Sequence, residues 1–451
     1  MKIALISLGC PKNQVDADVM CHALLAAGHT TTADLSEADV ILVNTCGFIE
    51  SAKTEAIENI LEACSYKEAN PNLKVIVTGC LAERYRHELA AEIPEVDAVV
   101  GLGSNAAICS IVERIAGGGA QGVPLETYGA KEALPLGGKR VISTPRHYAY
   151  LKIAEGCNNR CSYCAIPLIR GPLRSRTIPD LVAEARFLAS EGVKELIVVA
   201  QDVTAFGQDR GEAEIAPLLD ALSAVEGIAW IRLLYAYPER ITDAFIAAMC
   251  RSSKVLHYLD VPIQHIDSDL LRAMNRRGDE TTVRTALARL RAAMPDITLR
   301  TTLITGYPGE TEAQFEKLCA FVREERFDRL GCFAYSEEEG TPAAALVQLP
   351  PEVRQQRADT IMRIQSEIMA AKQAQKVGQT LTVLADGYDD ENDLYLCRTA
   401  ADAPDIDAEV CVRSDTPIEP GTFLRVKIEE SDEYDLFGIP AEEEKTDESA
   451  Q

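Results

Sequence analysis

The sequence predicts an α/β protein in three parts. An N-terminal parallel-sheet domain comes first, then a larger βα repeat closing a partial or complete barrel, then a small antiparallel β-barrel. Three observations carry this. Short apolar runs alternate with amphipathic stretches over residues 1–117 and again over 146–375, the pattern of parallel sheets with crossover helices. Beyond residue 376 short strands separated by Gly, Asp and Pro turns take over, as in small β-barrels. The 451 residues exceed one ordinary domain and suit about three. The expected boundaries are 1–117, a linker at 118–142, a core at 143–375, a terminal domain at 376–441 and a tail at 442–451.

In the first domain, strands are expected at 2–8, 40–43, 75–77 and 98–100, and helices at 16–27, 49–64, 82–92 and 105–116. Cys10, Cys46 and Cys80 each follow the C-terminal end of a predicted strand. Ligands of open α/β sheets bind at those ends, so three distant cysteines can converge at one sheet edge. The adjoining Gly9, Gly47 and Gly79 permit tight turns and close backbone approach. Cys21, Cys64 and Cys109 sit in helical patterns and read as small buried hydrophobes. The stretch 118–142 is rich in Gly and Pro and reads as a linker with one short strand near Val141.

In the core, strands are expected at 148–154, 195–199, 230–234, 256–259, 298–304 and 329–334. Helices are expected at 179–190, 215–223, 243–251, 282–293, 312–324 and 352–376. The first strand runs into Cys157-Asn-Asn-Arg-Cys161-Ser-Tyr-Cys164. Soft thiolates this close select an iron–sulfur cluster, zinc or copper(I). Three ligands are one short of a closed structural zinc site, whereas a cubane on three cysteines leaves one iron open. Polar residues at strand ends, among them Gln201, Asp202, Tyr235, Tyr237, Glu239, Asp260, Arg300 and Thr302, are placed to line a pocket. His265 reads as structural. Arg170, Arg174 and Arg176 either grip a carboxylate or phosphate or form a solvated face. Thr311, after the turn Gly306-Tyr307-Pro308-Gly309, is an expected helix N-cap.

In the terminal domain, strands are expected at 381–384, 395–398, 409–412 and 423–429. Residues 378–440 carry 16 acidic and 4 basic groups, a net charge of −12, and the whole chain carries −25. Affinity for nucleic acid comes from Lys and Arg on phosphates. The balance therefore argues against direct nucleic-acid binding and favours a basic partner or none. The tail 442–451 is expected to be acidic and disordered. No apolar run suits a membrane span and no signal-peptide cleavage site is seen. A cytoplasmic location follows, with the fourteen cysteines as thiols or metal ligands.

With Tyr163 just before Cys164, the cysteine loop resembles the signature of radical S-adenosylmethionine enzymes. The full pattern resembles the methylthiotransferase family within that class, with a TRAM domain as the terminal barrel. Ser7-Leu8-Gly9-Cys10-Pro11-Lys12-Asn13, Gln201-Asp202-Val203-Thr204 and Asp402-Ala403-Pro404-Asp405-Ile406-Asp407 are similar to its RimO branch. Asp16-Ala17-Asp18 departs from the more usual Asp-Ser-Glu. The resemblance implies two 4Fe-4S clusters, a radical cluster on Cys157, Cys161 and Cys164 and an auxiliary one on Cys10, Cys46 and Cys80. It also implies S-adenosylmethionine as methyl donor and radical source, with Tyr163 near the adenine and Gln201, Asp202 and Arg300 in the cofactor pocket. The implied substrate is an aspartate β-carbon of small-subunit ribosomal protein S-twelve. A carrier such as flavodoxin or ferredoxin is the implied electron donor. The alternatives are methylthiolation of a transfer-RNA adenosine, which the acidic terminal domain disfavours, and a non-catalytic iron–sulfur or zinc protein, which two open three-thiol sites disfavour.

Overall fold

In the computed structural model, which describes residues 1–117 and 123–441, the first domain is a six-stranded parallel sheet. β1 (Lys2–Ser7) leads to α1 (Pro11–Ala26), and a two-residue β2 (Thr30–Thr31) forms one edge. β3 (Val40–Thr45), α2 (Glu50–Ser65), β4 (Lys74–Gly79), α3 (Cys80–Glu92), β5 (Ala98–Val100) and α4 (Ile108–Ala116) follow. The strand order is β2-β1-β3-β4-β5-β6, with β6 at Leu125–Thr127. Helices cover both faces, so β3 is buried along its whole length, as a parallel strand between two helix layers must be.

The differences from the sequence pattern lie mainly at helix starts. α1 begins five residues before the expected position, at Pro11, whose fixed φ suits a first helical residue. Its first turns bury Lys12, Asn13 and Asp16, and buried polar residues leave no apolar period to read. The stretch expected to be a linker supplies β6, paired with β5 at Val99↔Glu126. Three residues are too few for alternation to show. No strand forms near Val141; its N–H donates to Asp18 O at 3.3 Å. The neighbouring Arg140 is buried against Asp18 (2.9 Å), Glu184 (2.8 Å) and Tyr150 O (2.6 Å).

The core is an open, all-parallel, six-stranded partial barrel. β7 (Tyr148–Lys152) enters it, and a two-residue β8 (Ala154–Glu155) leads to the cysteine loop, α5 (Ile166–Arg170) and β9 (Arg174–Ser175), which pairs with β8. The repeat continues through α6 (Ile178–Ser190), β10 (Glu195–Val199), α7 (Ile215–Ser223), β11 (Trp230–Leu233) and α8 (Asp243–Arg251). It then runs through β12 (Val255–Asp260), α9 (Ser268–Ala273), α10 (Glu280–Ala293), β13 (Thr298–Thr305), α11 (Glu312–Glu325), β14 (Arg329–Ala334) and α12 (Pro351–Ala374). The barrel order is β14-β13-β12-β11-β10-β7. Thr311 caps α11 in a full capping box, as expected. On the inner face, Tyr148, Tyr150, Ile197, Val199 and Tyr258 pack with Val15 of α1 and with Ala403 from the terminal domain.

The terminal domain is a closed barrel of β15 (Thr380–Asp389), β16 (Leu394–Thr399), β17 (Val410–Val412), β18 (Phe423–Ser431) and β19 (Leu436–Pro440). The sequence pattern lacks β19, a short strand holding Gly438 and Pro440. Its parallel pairing with β17 closes an otherwise antiparallel ring. The segment 400–407 enters the core barrel from below. Asp402 pairs with Arg329, Tyr148 donates to Asp405 at 3.0 Å, Tyr258 donates to Asp407 at 2.7 Å, and Arg232 donates to Ala400 O at 2.9 Å. The tail 442–451 lies outside the described residues. Among the described residues, no helix is long and apolar enough to cross a membrane.

Burial disfavours the charge on Asp402, but Arg329, Lys376 and a hydrogen bond from Thr399 together outweigh it and hold the carboxyl below its ordinary range. Asp402→Ala strands Arg329 in the interior and should cost about 3 kcal/mol. Urea unfolding followed by Trp230, which meets Phe423 edge-to-face with ring centroids 4.9 Å apart, checks this. A depressed carboxyl contributes fully above its unfolded pKa, so the gap between wild type and variant should shrink as pH falls below about 4.

Candidate active site

Cys10 follows β1 and is the N-cap of α1, Cys46 follows β3, and Cys80 is the first residue of α3. β1, β3 and β4 are neighbours in the sheet, so their C-terminal ends lie side by side. Two glycines show how close the three loops come. A Cβ on Gly9 would sit 2.8 Å from Cys46 Cβ and 3.1 Å from its Sγ, and one on Gly47 would sit 2.7 Å from the Leu81 backbone beside Cys80. The N-termini of α1 and α3 favour anionic sulfur here. Burial raises the Cys10 thiol, yet Lys12 and Arg170 more than reverse this and leave it below its ordinary pKa. Burial pushes Cys80 up to about 12 although Arg170 opposes it.

The second trio occupies the loop between β8 and α5. Cys157 N donates to Gly171 O at 3.1 Å, Cys164 N to Cys161 O at 3.0 Å, and Ser162 N to Met274 O at 2.9 Å. Asp202 accepts from Asn159 Nδ2 at 3.0 Å and pairs with Arg240 at 2.6 Å. Tyr237 Oη lies 3.4 Å from Cys161 Sγ, with the Arg276 guanidinium 4.0 Å above its ring. Tyr163 packs on the buried cluster of Leu270, Met274, Tyr307, Tyr335 and Ala343. Burial pushes Cys157 up to about 11 and Cys164 up to about 12.

A buried charge cluster joins the two trios. Asp16 of α1 pairs with Lys152 of β7 and, at 3.0 Å, with Arg170 of α5. Glu155 of β8 pairs with Lys152 at 3.1 Å and Arg170 at 2.7 Å. Gln201 donates to Glu155 at 2.7 Å. Arg170 Nε reaches Cys80 Sγ at 3.3 Å, and its Nη2 donates to Asn13 Oδ1 at 3.2 Å. Cys80, Leu102 and Leu134 pack directly on Ala165 and Ile169. Lys12 closes the top, its Nζ 3.4 Å from Ala200 O and 4.2 Å above the Tyr235 ring.

Within each trio the cysteines lie close enough to add to burial in raising one another's pKa, and the two loops adjoin where Cys80 packs with Ala165, the residue after Cys164. Gln201 and Asp202 both hold the cysteine loop, through Glu155 and Asn159. Arg300 stands apart from it on β13, 3.2 Å from Asp260 and 3.5 Å from Asp407 of the terminal domain. His265 is buried and bonded to Glu310 at 3.2 Å, a structural histidine as expected. Of the two alternatives for the arginines, the grip on a carboxylate holds for Arg170 and Arg176, with partners inside the chain, and none of the three forms a solvated face. Arg170 and Arg176 are buried and grip this chain's own carboxylates, and Arg174 donates to the carbonyls of Glu132 and Leu134. Sequence patterns gave no sign of Asp16, Lys152 or Glu155, because partners 136 residues apart leave no local spacing.

Among the described residues, no three His, Cys, Asp or Glu side chains close on one point as a single-ion site. Thiols beside Arg170 and Lys12, at two helix N-termini, are the soft and charge-balanced donor set that an anionic iron–sulfur cluster takes.

The sequence matches the Uncharacterized protein family UPF0004 over residues 2–101, the Radical SAM superfamily over 151–322 and the TRAM domain over 377–440. The fold resembles that of the radical S-adenosylmethionine methyltransferase TsrM from Kitasatospora setae. With tryptophan and a cofactor analogue bound, TsrM aligns at a TM-score of 0.58 and 13% identity, covering 86% of this chain and 79% of that one. Fold and sequence together define a radical S-adenosylmethionine enzyme. A ribosomal protein uS12 methylthiotransferase RimO from Acetivibrio thermocellus is 47% identical over 97% of this chain and 98% of its own length. Its counterpart from Pelotomaculum thermopropionicum is 46% identical over 97% and 99%. The chain belongs to the RimO family of methylthiotransferases.

Burial opposes the Glu155 charge, but Arg170 and Lys152 outweigh it and hold this carboxyl well below its usual range. Arg170→Met leaves two buried carboxylates facing one lysine and should cost about 3–5 kcal/mol. Arg170→Lys should lose less. Denaturant midpoints and hydrogen exchange along α1 and β7 check both, with α1 deprotected most in the methionine variant.

Proposed function

We propose that this chain attaches a methylthio group to an aspartate β-carbon of ribosomal protein uS12, using two 4Fe-4S clusters and S-adenosylmethionine. The observation that carries it is the closeness of two three-thiol sites: Cys80 lies 3.3 Å from Arg170 and packs with Ala165, the residue after Cys164. The target C–H has no acidity for a side chain to exploit, so cofactor chemistry is required. When bound, these groups supply one-electron cleavage of the sulfonium to a hydrogen-abstracting radical, together with the sulfur and methyl that are transferred.

The chain's own residues hold, orient and insulate. Cys157, Cys161 and Cys164 would ligate one cluster and Cys10, Cys46 and Cys80 the other, each trio leaving one metal position for a non-protein ligand. Arg170 and Lys12 balance negative charge beside the Cys10 site. Asp202 and Gln201 fix the loop that carries the second trio, and Tyr163 borders the adenosyl pocket. Arg300, paired with Asp260 and Asp407, serves the docking of the terminal barrel. The acidic terminal domain favours a basic protein over a nucleic acid as direct partner. A carrier of the flavodoxin or ferredoxin type delivers the electron in the cytoplasm.

Peptide mass spectrometry of uS12 from cells with and without this protein tests the function: a methylthio group on one aspartate should depend on it. In the reconstituted enzyme, Cys157→Ala, Cys161→Ala and Cys164→Ala together should remove about half the iron and all 5′-deoxyadenosine formation. The same change at Cys10, Cys46 and Cys80 should keep uncoupled 5′-deoxyadenosine formation and abolish sulfur transfer. Iron analysis and product chromatography read both.

A further inference from the structure

The loop 336–348, which follows β14, touches the surroundings of both cysteine trios. Its Glu338 is buried and paired with Arg84 at 2.7 Å and Lys53 at 3.5 Å. The same Arg84 donates to Gly47 O, beside Cys46, and to Glu339 O, both at 2.9 Å. At the loop's other end, Ala343 N donates to Ser162 O, beside Cys161, at 2.9 Å. A polypeptide segment brought to the space between the trios meets this rim.

The rim's outer surface is unlike its inner one. Glu337 and Glu339 flank the buried Glu338 but are themselves exposed, and among the described residues their carboxylates form no ion pair. With Gly340, Thr341, Pro342 and Ala344 they edge an open hollow of about 620 Å³. Beside it lie exposed apolar side chains: Val347 is 90% exposed, Leu168 52% and Leu346 47%. Leu168 follows the cysteine loop and lies against Gly340, where a Cβ would be 3.4 Å from its Cδ1. Apolar groups gathered under an acidic rim mark a binding surface.

We infer that this rim receives the polypeptide substrate, and that it takes a basic segment flanking the target aspartate. Lysine or arginine of that segment meets Glu337 and Glu339, and an apolar side chain covers Leu346 and Val347. The inference rests on the function proposed above. A ribosomal protein is basic because it binds RNA phosphates, so its charge complements this rim and opposes an RNA there.

The test uses the reconstituted full-length enzyme and purified uS12. Two surface variants are compared with wild type: Glu337→Lys with Glu339→Lys, and Val347→Asp. Calorimetry should show each variant binding uS12 about tenfold more weakly, with a shallower salt dependence for the charge reversal. Iron content and 5′-deoxyadenosine formation without uS12 should match wild type. If wild type modifies uS12 and both variants bind it within twofold of wild type, the rim assignment falls and the function stands. If wild type neither binds nor modifies uS12, the function falls and the rim assignment with it.

Discussion

The arrangement depends on four charges that never meet water: Asp16, Lys152, Glu155 and Arg170, whose side chains are at most 2% exposed. Each ion costs several kcal/mol to desolvate, and the mutual attraction of such pairs roughly offsets that cost. Their contribution is therefore one of placement. Asp16 belongs to the first domain and the other three to the barrel, so the charges are satisfied in only one docking of the two. Arg170 extends the same constraint to Cys80, and Glu155 extends it to Gly156, whose N–H donates to Glu155 at 3.0 Å, immediately before Cys157. A shift of the domains would leave buried charge unpaired before it moved either trio.

The order of secondary structure was legible from periodicity alone, because helices cover the first sheet and leave apolar strands such as β3, and because strands and amphipathic helices alternate regularly through the core. Each trio was legible too, one by its C-x3-C-x2-C spacing and the other by its place at three strand ends. Three kinds of feature were not. Helix starts at Pro11 and Cys80 were hidden because their first turns bury polar groups for the site. β6 and β19 are short and take their meaning from a neighbouring strand. The charge cluster joins residues from α1, β7, β8 and α5, and pairing across such separations has no spacing to reveal it. The signal available for Arg170 was its position just after the cysteine loop, which leaves open whether an arginine turns inward or outward.

The acidity of the terminal domain divides into two populations that composition cannot separate. Asp386, Asp402, Asp405 and Asp407 face the core: His147 bonds Asp386 at 2.7 Å, Arg398 of β16 braces it from within the domain at 3.0 Å, and the other three meet Arg329, Tyr148 and Tyr258. These groups dock the domain and contribute little to its outward field. The turn at 390–393 and Glu429, Glu430, Asp432 and Glu433 remain exposed, and these set what the domain attracts. The motif 402–407, which resembles one branch of the family, is therefore a docking peg beneath the barrel.

Placement of the peg fixes a geometric consequence. Arg329 and Arg232 hold it from the start of β14 and from within β11, whereas Lys12 and the cysteine loop lie past the opposite ends of the strands, where Lys12 meets Ala200. The terminal barrel and the thiol sites thus occupy opposite ends of the core. Under the proposed function, a protein substrate held by the outer acids of the terminal barrel must still present its aspartate at the far mouth. Electrostatic attraction falls off within about 10 Å at moderate ionic strength, less than the length of one βα unit. The terminal domain can steer encounter, but acids beside the mouth itself are needed to orient the reacting segment, and exposed Glu337 and Glu339 stand there.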